Sequence, residues 1–141
     1  MFNHKWKKAG VFLLLPVICL ILCSGCGVKK AGTEKVRDLE FTVLEETEIP
    51  EKLKETIEEK KADDFKMTYI LDDYLYIVRG FGMQETGGYS IQVQELYLAE
   101  NAIYFAADLI GPESGEPVEK AVSYPYIVIK TERLNENVVF D

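Results

Sequence analysis

Residues 79–98 read RGFGMQETGGYSIQVQELYL, and the second half of this stretch constrains the fold most. From Tyr89, apolar and polar residues alternate, with Tyr89, Ile91 and Val93 set against Ser90, Gln92 and Gln94. A period of two sends successive side chains to opposite faces, so this is a half-buried strand. Just before it, residues 75–78 are nearly all apolar, as expected of a strand covered on both faces. The loop between the two ends in Thr86-Gly87-Gly88-Tyr89. The whole window holds Gly80, Gly82, Gly87 and Gly88, four of the ten glycines. Glycine reaches positive φ cheaply and lets another backbone come close. Two in succession before a large amphipathic ring form either an ordinary tight turn or a recognition surface, and turn chemistry alone favours the turn.

The other elements follow from the same local signals. Leu39, Phe41 and Val43 alternate with Glu40 and Thr42, which predicts one first strand over 39–44. Pro50 suits the first turn of a helix with Glu51 close behind, and the helix is expected to run to about Ala62. Leu53 and Ile57 share one face, while Glu51 with Lys54 and Glu58 with Lys61 form a solvated one. So narrow a stripe predicts a helix lying across an edge or end of a sheet. Strands over 67–71 and 74–79 flank Asp72-Asp73, a hairpin turn. The alternation slips near Gln94-Glu95, and a β-bulge there keeps both apolar sets facing a core. Glu100-Asn101 marks a second hairpin, with residues 102–109 returning. Residues 111–118 (GPESGEPV) form a loop by composition. A late strand over 124–130 has Pro125 at its start, where a missing donor is tolerated, and residues 138–140 supply a short last strand. The fold class is α+β and mainly antiparallel β: a small curled sheet, as a sandwich or open barrel, with one N-terminal amphipathic helix.

The first residues are of a different kind. His4, Lys5, Lys7 and Lys8 precede an apolar run over 11–23, too short to span a bilayer comfortably but suited to the core of a signal peptide. Leu22-Cys23-Ser24-Gly25-Cys26 then resembles a bacterial lipobox, with Cys23 where leucine is usual. Small residues at Ser24 and Gly25 fit a signal peptidase site, and Cys26 supplies the thiol that takes the lipid. An uncleaved anchor and plain secretion are the alternatives. The expected organisation is a signal peptide at 1–25, a flexible tether at 26–35 beginning at lipidated Cys26, and a β-rich domain at 36–141. A tether of that length reaches on the order of 15–20 Å, placing the domain near the extracytoplasmic face of a bacterial cell membrane.

Processing at this site would remove Cys19 and Cys23 and consume Cys26, leaving no thiol for a disulfide, a zinc site or a nucleophile. It would also leave 13 basic and 24 acidic residues, a net charge of −11 against −8 for the whole chain. Such a surface repels nucleic acid and anionic head groups, so membrane attachment is expected through the lipid. His4, the sole histidine, leaves with the leader, which removes the base from Ser-His-Asp and Cys-His schemes. P-loop, dinucleotide and calcium-loop signatures are absent, and Asp63-Asp64 and Asp72-Asp73 read as hydrated neighbours rather than a catalytic pair. No enzyme activity, cofactor or metal is expected.

The run GFGMQETGGYSIQV, with the later YPYIVIK, resembles the C-terminal domain of the PrcB family over roughly 41–133. Glu85 stands where many members of that family carry a proline. The family is named for a lipoprotein subunit that supports a surface protease complex. The resemblance implies a non-enzymatic lipoprotein that binds an envelope protein, a protease, and stabilises or localises it. The candidate partner-binding residues are Gly82, Thr86, Gly87, Gly88 and Tyr89. Tyrosine suits such a role because its ring buries apolar area while its hydroxyl stays satisfied. T-G-G-Y is also similar to the T-T-G-Y loop of chagasin-type cysteine protease inhibitors, without the flanking asparagine-proline or the following tryptophan. That likeness implies the alternative, a protease inhibitor, and a third reading makes the glycine loop only a turn in a structural lipoprotein.

Overall fold

The computed structural model describes residues 34–141, and the expected leader, Cys26 and all of the expected tether except Glu34 and Lys35 lie outside the described residues. Local turn chemistry sets up the first hairpin. Strand β3 (Asp64–Leu71) returns as β4 (Tyr74–Phe81) through Asp72-Asp73, where Asp72 has φ 55. Aspartate tolerates this left-handed conformation better than most residues. Strands β5 (Ser90–Ala99) and β6 (Ala102–Ile110) form the second hairpin through Glu100-Asn101. Their register shifts between Val93 and Glu95, so Gln94 is the extra residue of a bulge that resets the alternation. Strand β7 (Tyr126–Glu132) lies antiparallel to β4 along its whole length. Two short strands at the start, β1 (Lys35–Asp38) and β2 (Thr42–Val43), and a last one, β8 (Asn137–Phe140), complete the set.

These strands form two four-stranded sheets, ordered β1-β5-β6-β8 and β2-β7-β4-β3. Neither closes on itself, and together they make an open two-layer sandwich. Its interior is built from Leu75 and Ile77 of β4, Ile127 and Ile129 of β7, and Leu96, Ile103 and Phe105 of the facing sheet. Alternate residues of β4 and β7 point the other way. Tyr76, Val78 and Val128 meet Ile49 and the fully buried Leu53 and Ile57 of helix α1 (Glu51–Lys60). The second sheet is therefore apolar on both faces, which accounts for the continuous apolar run at 75–78.

The structure corrects two expectations. Helix α1 lies on the face of the central strands β4 and β7, not across an edge or end, because two residues one turn apart suffice to seal a short patch of sheet. The single strand expected over 39–44 is instead a change of sheet: β1 ends at Asp38 and pairs with β5, and only Thr42–Val43, as β2, pairs with β7. Leu39 turns inward between them and is buried in the sandwich interior. Strand β8 runs parallel to β6, the one parallel pair among the described strands.

The crossing from β1 to β2 is a strap over one side of the sandwich. Leu39 N–H donates to the Leu96 carbonyl at 3.1 Å, and Leu44 N–H donates to the Val128 carbonyl at 2.9 Å. The buried Thr131 hydroxyl donates to the Glu40 carbonyl at 2.7 Å. Arg37 of β1 meets Glu132 of β7 through two hydrogen bonds of 3.0 and 3.2 Å, a bidentate pair that joins the two sheets. The guanidinium holds the Glu132 carboxyl below the usual carboxylate range.

Two outcomes follow from this packing. Ile57→Ala opens a void under α1 and should destabilise the domain by about 2–4 kcal/mol, read as a lower urea midpoint. The strap pair gives a pH signature. Since the folded pKa of Glu132 lies below its unfolded value, its contribution is present above the unfolded pKa and is lost as pH falls through the folded one. Urea midpoints measured from pH 6 down to about pH 3 should therefore fall less steeply for Glu132→Gln than for the native chain.

Candidate functional site

The segment from β4 to β5 is held along its length by the segment that precedes β7. Phe81 N–H donates to the Pro125 carbonyl at 3.0 Å. Gln84 and Ser123 exchange backbone hydrogen bonds of 2.8 and 3.0 Å, and Gly87 N–H donates to the Glu119 carbonyl at 2.9 Å. The Ser123 hydroxyl donates to the Thr86 carbonyl at 2.7 Å, and the Thr86 hydroxyl to the Gly87 carbonyl at 3.1 Å. Two polar loops thus satisfy each other's backbones, which rigidifies a region with little apolar burial.

The five candidate residues fall in three places. Gly82 has φ 77 and is buried against the chain at Asp63-Asp64; a methyl there would sit 3.2 Å from the Asp64 backbone nitrogen. It serves the exit from β4. Thr86 and Gly87 face residues 119–123. Gly88 has φ 90, and a methyl on it would lie 2.8 Å from Val118 Cγ1 and 3.1 Å from Pro112 Cβ. Tyr89 is half-buried, its ring resting against Gly111. The ring does not stand free in solvent. It braces the 111–118 loop on one side and lines a cleft on the other.

That cleft, of about 280 Å³, is walled by Val43 of β2, Tyr89, Ser90 and Ile91 at the start of β5, and Pro125, Tyr126 and Ile127 at the start of β7. Its Val43 wall belongs to the far end of the strap. Tyr126 forms one rim; burial raises its phenol pKa first, and the Glu46 and Glu58 carboxylates raise it further, with Lys61 opposing them. A larger groove of about 490 Å³ lies by Glu40, Phe41, Thr42, Tyr74 and Lys130. None of the five candidates lines it, and three of its polar residues are engaged: the Lys130 ammonium stands 4.1 Å over the Tyr74 ring, and Thr131 and Glu132 hold the strap. Among the described residues, no group of three or more His, Cys, Asp or Glu is placed to hold a metal ion.

The sequence singles out Tyr89 but not the residues around it and its loop: Val43, Gly111, Val118, Glu119, Ser123, Tyr126 and Ile127. Gly111-Pro112 marked a turn, and nothing local tied that turn to Tyr89. The two adjacent glycines differ in role, and substitution separates them. Gly88→Ala meets both positive φ and Val118 and should cost about 1–3 kcal/mol. Gly87→Ala, whose methyl would lie 3.5 Å from Glu119 Cβ in ordinary contact, should change stability by no more than about 1 kcal/mol. Urea unfolding of the two variants side by side checks the difference.

No curated protein and no solved structure gives a significant match to the chain. Residues 75–132 match the family model described as PrcB C-terminal, a stretch that runs through β4, the glycine loop, β5 and β6 to the end of β7. It includes every wall of the cleft except Val43. Over these residues the chain resembles the PrcB family.

Proposed function

We propose that this chain is a membrane-anchored, non-enzymatic lipoprotein that binds an envelope protease and stabilises or localises it. The observation that carries the reading is the PrcB C-terminal match over residues 75–132, which points to a protease-associated role. The lipobox-like Cys23-Ser24-Gly25-Cys26 motif supports attachment through lipid at Cys26, and the lack of any histidine after His4 supports a binding role over a catalytic one. Tyr89 is the side chain on which the reading places partner contact, with Gly82, Thr86, Gly87 and Gly88 shaping the loop that carries it. Inhibition by loop insertion is the weaker alternative: Thr86 and Gly87 spend their backbone groups on residues 119–123 and lie along the body of the domain instead of projecting from it.

The test uses the tagged full-length chain in its own cells. After solubilisation, the protein retained with it should be a protease. The in-cell half-life of that protease should fall several-fold when the chain is deleted, while adding the chain to the purified protease should leave kcat/KM for a short peptide unchanged. Inhibited hydrolysis with an unchanged half-life would establish the inhibitor reading instead. Retention of no protease would overturn both.

A further inference from the structure

The strap covers only part of the side it crosses. Strand β1 pairs with β5 at Tyr97, Leu98 and Ala99, and Leu39 bonds to Leu96. From Ser90 to Glu95, the side of β5 turned away from β6 has no strand partner among the described residues. The facing strand β7 is in the same condition: β2 pairs at Ile129 and Lys130, Leu44 bonds to Val128, and no described residue pairs on that side at Tyr126 and Ile127. The two open strand ends flank the 280 Å³ cleft.

Leu39 shows what such a gap accepts. It is an extended-chain residue beside β5 whose backbone bonds to the strand edge and whose aliphatic side chain plugs the space between the sheets. A few residues along the same edge, Ile91 and Val93 point into the interior and stay half-buried, and Val43 is 51% exposed, because no equivalent of Leu39 covers them. The composition of the edge points the same way. Sheet proteins guard open edges with charge. Strand β3, also open on its outer side, carries Asp64 and Lys66, and the uncovered half of β6 carries Asp108. Along the open edge of β5, residues 90–94 are Ser, Ile, Gln, Val and Gln, without proline, and Glu95 at its end is the one charge.

We infer that the open edge of β5 at Ser90–Glu95, with the cleft walled by Val43, Tyr89, Ile91, Tyr126 and Ile127, receives an extended segment of a partner protein as an added β-strand. Backbone hydrogen bonds to β5 supply affinity, and alternate side chains of the segment enter the cleft. Those side chains are apolar, because the walls are, aliphatic at Val43, Ile91 and Ile127 and aromatic at Tyr89 and Tyr126. The flanks of the segment are basic: Glu95 closes one end of the edge, Glu119 and Glu46 lie toward the other, and the chain as a whole is acidic. The inference rests on the protein-binding reading above and specifies where and in what form the partner docks.

The purified full-length chain is titrated with a fluorescent peptide of about ten residues, valine alternating with threonine and lysines at both ends, followed by anisotropy. Saturable binding is expected. N-methylation of alternate peptide amides on one edge should weaken it about tenfold or more, because each methyl removes a strand hydrogen bond. Val43→Lys, a change at an exposed position that puts a charge at the cleft, should weaken it by a similar factor. Ile70→Lys, on the open edge of β3 at 48% exposure, should leave it unchanged. The N-methyl comparison uses the native chain, so it holds whether or not either variant folds. Absence of saturable binding to about 1 mM, indifference to N-methylation, or equal loss in Val43→Lys and Ile70→Lys would overturn the inference. The assay contains no protease, so its failure would leave the proposed partnership standing. Capture of a protease undiminished by Val43→Lys would refute only the docking site.

Discussion

The pairing of β4 with β7 is the interaction on which the rest of this structure depends. Seven residue pairs, from Tyr74 with Glu132 to Gly80 with Tyr126, join two strands that are apolar on both sides. Such a pair cannot face water on either side without exposing buried-type residues, so two covers are required. One is the sheet containing β5 and β6; the other is α1. The helix is ten residues long, a length marginal in isolation, and it persists because Leu53 and Ile57 are buried against Tyr76, Val78 and Val128.

Covering the central pair from both sides leaves the lateral margins of the sandwich to be closed. On one margin the closure is the strap from β1 to β2, fixed by Leu39, the Thr131 hydroxyl and the Arg37–Glu132 pair. The strap leaves the margin at Leu44, where the chain turns outward toward the helix it must supply. The cleft beside Tyr89 is the remainder of that margin. The glycine loop and residues 111–123 form its far wall, and their mutual hydrogen bonds keep the wall in place. Within the T-G-G-Y turn, Gly88 permits the turn, while Tyr89 rests against Gly111 and lines the cleft.

What the sequence revealed was set by short-range physics. The Asp72-Asp73 and Glu100-Asn101 turns, the bulge at Gln94 and the doubly covered run at 75–78 each depend on residues within a few positions of one another. The helix was legible from Leu53 and Ile57, though not its seat on the face of the sheet, since that depends on which strands are central. The switch of sheets at Leu39 was hidden because alternation reads the same whether one strand continues or two short ones are joined by an inward-turning leucine. The parallel direction of β8 depends on the path of the chain between Glu132 and Asn137, and no local pattern encodes it. The candidate site was legible only as Tyr89 and its glycines. Val43, Glu119 and Ser123 reach it through pairings across long stretches of chain, which a period of two cannot report.

The most direct measurement is residue-level amide hydrogen exchange along β5 in the full-length protein. The account predicts two regimes within one strand. Amides from 96 to 99, covered by β1, should be slow on both sides, while those from 90 to 95 that point away from β6 should exchange fast and become slow once an extended segment is bound. Uniform protection from Ser90 to Ala99 in the free protein would contradict it, because the edge would then be already occupied and the cleft would have no strand to receive.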